Sequence, residues 1–257
     1  MTLSLDPIPN PDSPLARRDP RWRLAAVAAA IVTVAALQTV PAAAAALVGA
    51  VLLAVAARMP PRWYARRLAG VAPFLVLCVI SLPFLVPDPE PLARLGPLAL
   101  SGRGLRLAVL VGLKAVAVLT LAWVVLVSAP LPVTLHAAYA LRVPGLLVHL
   151  TLLSYRYVGL LAGELARVRV ALRVRGYRNR ATRHSYRTVA HVAAGLLVRG
   201  HDRAERVGQA MRSRGFDGRF RSLAAFRTTP ADVLVFLAVL AAAGALAGWD
   251  LWARRGA

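Results

Sequence analysis

The chain has 257 residues, of which 58% are hydrophobic, and a formal net charge of +21 from 32 basic and 11 acidic residues. Only 17% of the residues are charged, whereas soluble domains average about 25%. A nucleic-acid-binding domain with this charge would need a more polar surface, and a disordered basic tail would hold fewer apolar residues. The single cysteine, Cys78, excludes an intramolecular disulfide framework. The combination predicts a membrane protein whose charges concentrate on one side.

The first uncharged tract predicts a helical hairpin. It follows a polar, proline-rich tail at residues 1–23, which has no apolar stretch of signal-peptide type and which we expect to be flexible. The tract runs from Leu24 to Ala57 and is too long for one membrane span of about 20 residues. Pro41 lies near its middle, where it would interrupt a helix. We therefore predict two short helices, at about 24–40 and 42–57.

Three further apolar tracts predict additional spans, and they are Leu68–Val86, Leu107–Val127 and Val233–Trp249. Lys114 is the one charge deep inside any of them. Two roles for Lys114 are equally favoured: a contact with another membrane subunit, or a structural position in which its side chain reaches the outer interface. The tract from Leu131 to Gly163 carries Arg142 and Arg156 and is interpreted as a helix along the membrane surface. The sequence thus predicts an all-α, polytopic membrane protein with about five transmembrane helices.

The distribution of arginines predicts the side of the membrane that each loop occupies, because short cytoplasmic loops are enriched in arginine and lysine. We place the N-terminal tail and the arginine-rich loop at 58–67 in the cytoplasm, and the nearly neutral loop at 87–104 outside. The C-terminus is placed outside, against the evidence of Arg254 and Arg255. The resulting domains are a tail at 1–23, a four-helix transmembrane region at 24–127, a membrane-proximal and cytoplasmic region of long amphipathic helices at 128–231, and a C-terminal helix and tail at 232–257.

A repeated motif organises the most basic segment. Residues 164–227 hold 16 arginines and four acidic residues, which gives +12 of the chain's +21. Within them the pattern Ala-[Leu/Met]-Arg-x-Arg-Gly-[Tyr/Phe] occurs twice, 39 residues apart. Apolar residues at helical spacing precede each copy and predict two amphipathic helices that end near the glycines. The identical positions are Ala171, Arg173, Arg175 and Gly176 in the first copy and Ala210, Arg212, Arg214 and Gly215 in the second.

The duplication favours a functional interpretation of the motif. One copy alone is best explained as a capped amphipathic helix at the membrane surface, because arginine complements the negative end of a helix and glycine commonly follows it. Capping does not by itself require the alanine, the arginine pair and the aromatic residue to recur. Since arginine presents a planar fork of donors that suits carboxylates and backbone oxygens, the repeat predicts docking to a cytoplasmic protein with two equivalent acidic pockets.

On these residues the chain resembles the transmembrane coupling (T) component of energy-coupling factor (ECF) transporters, the CbiQ/EcfT family, over roughly residues 20–250. Members carry short Ala-Arg-Gly motifs at the ends of two cytoplasmic coupling helices. Val174-Arg175-Gly176 and Ser213-Arg214-Gly215 match these motifs, with valine and serine in place of alanine. Leu141-Arg142-Val143-Pro144 and Tyr155-Arg156-Tyr157 resemble blocks ahead of the first motif. Phe216-Asp217-Gly218-Arg219 is most similar to the cobalt/nickel type.

The resemblance implies a non-catalytic subunit of an ABC-type importer in a bacterial plasma membrane. Such a subunit links a membrane-embedded substrate-binding subunit to a cytoplasmic pair of P-loop ATPases, with Arg175 and Arg214 each docking into one ATPase. The implied cargo is cobalt or nickel, and biotin or another vitamin is the alternative. We expect no cofactor, no metal site and no nucleic-acid partner, because the histidines lack metal-ligand spacing and the chain has no phosphate-binding loop.

Two other classes of function stay open at this stage. An enzyme acting on anionic lipid phosphates at the arginine-rich face would need an acidic metal-binding cluster for phosphoryl transfer, which the sequence does not suggest. Glu164 and Glu205 are expected instead to pair with neighbouring arginines such as Arg167 and Arg206. A membrane anchor or nucleic-acid tether would depend on charge alone, so it would tolerate scrambling of the repeat at constant charge.

Overall fold

The computed structural model of the chain describes residues 13–15, 18–86, 93–95, 98–216, 226 and 228–255. Helices dominate this part, in the order α1 (Pro20–Ala36), α2 (Val40–Ala56), α3 (Pro61–Leu85), β1 (Ala93–Leu95), β2 (Leu98–Leu100), α4 (Gly102–Ser128), α5 (Leu131–Ala140), α6 (Gly145–Val174), α7 (Arg183–Ser213) and α8 (Pro230–Arg255). By length and composition, α3, α4, α6 and α8 could each cross a membrane. The predicted all-α polytopic membrane fold is therefore confirmed, with one addition. The strands β1 and β2 form a small antiparallel hairpin that was not predicted.

The described residues divide into two compact units. The helical bundle consists of α1 to α5 and α8, with the β1–β2 hairpin, and lies within residues 6–141 and 225–257. The helix pair consists of α6 and α7 and lies within residues 142–224. The chain passes from one unit to the other at Arg142, whose backbone is left-handed with a φ of 69°.

The core of the helical bundle is built largely from alanine. Ala46 and Ala50 of α2 share one buried cluster with Ala117 and Leu121 of α4. Lipid tails are as apolar as the side chains they would replace, so close van der Waals packing of small residues drives helix association in membranes. The alanine-rich face of α2 thus explains its close packing against α4, which also contacts α1 and α3.

The first and last helices of the bundle run parallel. At their starts, the rings of Trp22 and Phe236 meet edge to face with centroids 5.1 Å apart. At their ends, Arg254 of α8 donates a hydrogen bond to the Ala36 carbonyl of α1 over 3.1 Å. The beginning of α1 and the end of α8 therefore lie at opposite ends of the bundle.

The break between α1 and α2 lies earlier than predicted. The expected helices at 24–40 and 42–57 are instead Pro20–Ala36 and Val40–Ala56, separated by residues 37–39. Pro41 does not interrupt a helix. It lies in the first turn of α2, where its missing N–H costs nothing and its fixed φ suits a helix. Each of the two helices has 17 residues, which is a length of about 25 Å against a hydrocarbon core of about 30 Å.

The tract at 131–163 forms two helices. Its first part is α5, and the rest belongs to α6, a continuous helix of 30 residues that starts directly after Pro144. The arginines of this tract predicted a helix along the membrane surface, whereas α6 is apolar and long enough to be a candidate span. Farther along α6, the apolar stripe of Leu161, Leu165 and Val168 is half-buried, as the helical periodicity predicted.

Candidate docking site

The first copy of the repeat forms the C-terminal end of α6. Gly176 follows the helix with a φ of 78°, in the left-handed region. The Tyr177 N–H donates to the Leu172 carbonyl over 3.0 Å, and the Gly176 N–H donates to the Arg173 carbonyl over 3.0 Å. These two bonds define a Schellman motif, which satisfies carbonyls that the helix end leaves free.

The second copy forms the end of α7 with the same geometry. Gly215 has a φ of 79°. The Phe216 N–H donates to the Met211 carbonyl over 3.1 Å, and the Gly215 N–H donates to the Arg212 carbonyl over 3.0 Å. A residue other than glycine would lose about 1–2 kcal/mol in this left-handed conformation. The repeated sequence therefore produces a repeated structure.

The Schellman geometry explains more of the repeat than the sequence analysis expected. This motif commonly brings the residue after the glycine into apolar contact with the residue five positions before it. Tyr177 and Leu172 hold these positions in the first copy, Phe216 and Met211 in the second, and all four are half-buried. Hence the expectation that capping does not account for the recurring aromatic residue was wrong. The alanine and the two arginines of each copy are what capping leaves unexplained.

The unexplained residues are all solvent-exposed, and they are Ala171, Arg173, Arg175, Ala210, Arg212 and Arg214. Among the residues that the structure describes, none of the four arginine side chains forms an ion pair or a side-chain hydrogen bond. Each guanidinium group thus keeps its donors for water or for another molecule. An exposed arginine is well suited to bind a carboxylate through two parallel hydrogen bonds.

One ion pair joins the two helices of the pair. Arg203 of α7 donates to Glu164 of α6 over 2.5 Å, and the Glu164 side chain is only 12% exposed. The prediction that Glu164 pairs with an arginine of its own helix, such as Arg167, is wrong. A groove of about 290 Å³ between the two helices is lined by apolar residues such as Leu172 and Leu196 and by the polar His191. The ion pair is therefore a specific charged contact between α6 and α7.

The two arginine-bearing ends lie far apart. After the first motif, the Arg180 N–H donates to Ser185 Oγ over 3.2 Å and the Tyr177 hydroxyl donates to the Ser185 carbonyl over 3.4 Å. These contacts keep the first motif beside the beginning of α7. The second motif lies at the other end of α7, which has 31 residues and a length of about 45 Å. One pocket cannot hold both ends, so a partner would need two separate pockets.

Lys114, the remaining candidate from the sequence, lies in the helical bundle and has an internal partner. Its ammonium group donates to the Leu37 carbonyl over 2.6 Å, at the turn between α1 and α2. The same turn binds Asp250 of α8, which accepts hydrogen bonds from the backbone N–H groups of Gln38 and Thr39 over 3.1 and 2.8 Å. A positive group thus meets the end of α1 and a negative group the start of α2, as the helix dipoles favour.

Asp250 is a structural residue that the sequence analysis did not identify. Its side chain is 2% exposed and also binds Arg254 in an ion pair one helical turn away. The signal in the sequence was an acidic residue followed four positions later by an arginine at the end of an apolar tract.

Some predicted features lie outside the described residues. They include residues 1–12 of the N-terminal tail and, after the second motif, Asp217, Gly218 and Arg219. Within the described ranges, no three histidine, cysteine, aspartate or glutamate side chains come together as a metal site would require.

Comparison with known proteins finds a match to one protein family. The family model for CbiQ, described as a cobalt transport protein, matches residues 11–224. The cobalt transport protein CbiQ of Rhodobacter capsulatus is 38% identical over 113 residues, which are 41% of this chain and 44% of the relative. An uncharacterized protein of Methanocaldococcus jannaschii is 28% identical over 100 residues, which are 38% of this chain and 37% of the relative. These alignments span less than half the length of either relative.

Proposed function

Because the chain belongs to the CbiQ family of cobalt transport proteins, we propose that it is the non-catalytic transmembrane coupling subunit of an ECF-type importer. In this role it joins a membrane-embedded substrate-binding subunit to a cytoplasmic pair of P-loop ATPases. The cargo is cobalt, as the name of the Rhodobacter capsulatus relative suggests. The bacterial plasma membrane is its location.

The observation that carries this proposal is the pair of matching helix ends. Arg175 and Arg214 occupy the same position in two Schellman motifs, and both side chains are exposed. The length of α7 separates them by about 45 Å, so each arginine enters a different subunit of a symmetric or pseudosymmetric ATPase pair. Movement of the two ATPase subunits would then act on the two ends of the helix pair.

The orientation in the membrane follows the arginine-rich loops. We place the start of α1 and residues 58–67 in the cytoplasm. The parallel packing of α1 and α8 then supports a C-terminus on the outside. A cysteine introduced at Arg255 in a Cys78→Ser background tests this side of the membrane. An impermeant maleimide added to intact cells is expected to label Arg255→Cys, and protection until the cells are lysed would contradict the placement.

The double variant Arg175→Ala, Arg214→Ala tests the coupling role. The chain is expressed with the ATPases and the substrate-binding subunit of its own transporter, and we measure co-purification of the ATPases and uptake of radiolabelled Co²⁺ by cells. The variant is expected to lose both, because each ATPase pocket loses its guanidinium group. Arg169→Ala, Arg187→Ala is the matched control, since it removes the same charge from exposed positions of the same helices that lie away from the face of Arg175 and Arg214. Full assembly and uptake by the Arg175→Ala, Arg214→Ala variant would disprove the proposal.

A further inference from the structure

We infer that Ala171 and Ala210 are contact residues of the docking site. Each small side chain leaves space beside Arg175 or Arg214, and the wall of one acidic ATPase pocket fits into that space. This inference rests on the proposed function and extends it to residues outside the three-residue family motif. It also gives the two arginines of each copy different roles: Arg175 and Arg214 enter the pockets, whereas Arg173 and Arg212 face away from them.

The geometry of the helix end places the alanine directly beside the arginine. Ala171 and Arg175 are four residues apart, and residues at that spacing lie on one helix face, one turn above the other. The φ of Arg175, −79°, is near the helical value, and its ψ of 11° turns only the chain that follows, so its side chain continues this face. Ala210 and Arg214 have the same spacing in the second copy, where Arg214 has φ −92° and ψ 11°.

Local structure gives no reason for alanine at these positions. The Schellman motif accounts for the glycine, the aromatic residue and the leucine or methionine, but it makes no demand on the residue before the leucine or methionine. In an exposed helix, leucine, arginine, lysine and glutamate form helix almost as well as alanine. Both Ala171 and Ala210 are exposed, so the packing of the chain itself does not limit their size. What alanine offers in both copies is a small side chain.

A small side chain matters where a guanidinium group binds a carboxylate. Charge-assisted hydrogen bonds from arginine require donor–acceptor distances of about 2.7–2.9 Å, so the pocket wall must come close to the helix surface around Arg175. A branched side chain one turn away would hold that wall off. Arg173 lies two residues from Arg175, which is about 200° around the helix axis. It therefore cannot enter the same pocket from the same side.

The test replaces both alanines with leucine, as Ala171→Leu, Ala210→Leu, and measures the dissociation constant of the detergent-purified chain for the purified ATPase pair. Leucine has a helix propensity close to that of alanine and adds no charge. We expect binding to weaken by about tenfold or more, because an overpacked contact is costly. Ala166→Leu, Ala194→Leu is the matched control, since both positions are exposed and lie more than about 100° around the helix from the docking face. This control is expected to bind within about twofold of the unmodified chain.

The results separate this inference from the proposed function. If Ala171→Leu, Ala210→Leu binds normally while Arg175→Ala, Arg214→Ala does not bind, the alanines are not contact residues and the coupling role stands. Equal weakening by the two leucine pairs would also overturn the inference, because the effect would not be specific to the docking face. If Arg175→Ala, Arg214→Ala binds normally, the proposed function itself is wrong. Thermal unfolding of each variant confirms that binding is compared between folded proteins.

Discussion

The charged residues at the α1–α2 turn of the helical bundle and those at the two motif ends of the helix pair are used in opposite ways. In the bundle, Lys114, Asp250 and Arg254 all bind the backbone at the turn between α1 and α2. In the helix pair, Arg175 and Arg214 stand exposed at helix ends and bind no other described side chain. The net charge of the chain therefore combines two kinds of residue. Charges bound to backbone groups inside the bundle complete the fold, and exposed charges without such partners are available to another molecule.

The difference follows from the surroundings of each group of charges. A charge inside the membrane is costly unless it is paired or bound to backbone groups. The helices α1 and α2 are each slightly shorter than the hydrocarbon core is thick, so the turn between them lies at the edge of that core, where its backbone groups meet few water molecules. The charged side chains of α4 and α8 satisfy those groups. Mutations in the bundle should therefore affect stability, and mutations at the helix ends should affect association.

The largest expected effect on stability is that of Asp250→Ala. This variant removes the acceptor of the Gln38 and Thr39 N–H groups and leaves Arg254 without its ion-pair partner. Each buried N–H group left without an acceptor costs about 1–3 kcal/mol, so we expect the loss of both to give a large fall in the Tm of the detergent-purified protein. Asp202→Ala, at an exposed position of α7, is the control and should leave the Tm unchanged. A normal Tm for Asp250→Ala would contradict the conclusion that the charged residues at the α1–α2 turn stabilise the fold.

Lys114→Met should have an intermediate effect. It keeps a long side chain but leaves the Leu37 carbonyl without its donor. An unsatisfied buried acceptor costs about 1–3 kcal/mol, which should appear as a lower Tm while the association with the ATPases is preserved. This variant also separates the two roles considered for Lys114. An unchanged Tm together with loss of the substrate-binding subunit on co-purification would identify Lys114 as a contact between subunits.

The smallest expected effect is local to the helix pair. Gly176→Ala and Gly215→Ala place a side chain on left-handed backbone, at a cost of about 1–2 kcal/mol each. We expect faster hydrogen exchange at the amides of Tyr177 and Phe216, whose bonds close the two Schellman motifs. Asparagine tolerates this conformation better, so Gly→Asn variants should exchange more slowly than Gly→Ala variants. Equal exchange in the two sets would show that the left-handed backbone does not control these helix ends.

The sequence was sufficient to predict the helices and most of their extents, because long uncharged tracts have few alternatives to helices in a membrane. The position of the break between α1 and α2 was not predictable from Pro41. The turn is bound by Lys114 and Asp250, which lie far away in the sequence and close to it only in the folded protein. The ion pair of Glu164 with Arg203 escaped prediction for the same reason.

The repeat shows both what sequence reasoning achieves and where it stops. Its spacing and glycines predicted two helix ends, and the structure has helix ends at Val174 and Ser213. The aromatic residues were read as evidence for docking, but they hold the position in which a Schellman motif commonly places an apolar residue. Only the backbone hydrogen bonds of Tyr177 and Phe216 make this visible.

The parallel packing of α1 and α8 has a consequence for biosynthesis. The turn after α1 receives the carboxylate of Asp250 from a position 212 residues beyond Gln38. A ribosome adds about 5–20 residues per second, so α1 and α2 enter the membrane at least ten seconds or so before their shared turn can close. During that interval the backbone groups of Gln38 and Thr39 lack this acceptor. The membrane-insertion machinery or the lipid headgroup region must accommodate them until the last helix of the bundle arrives.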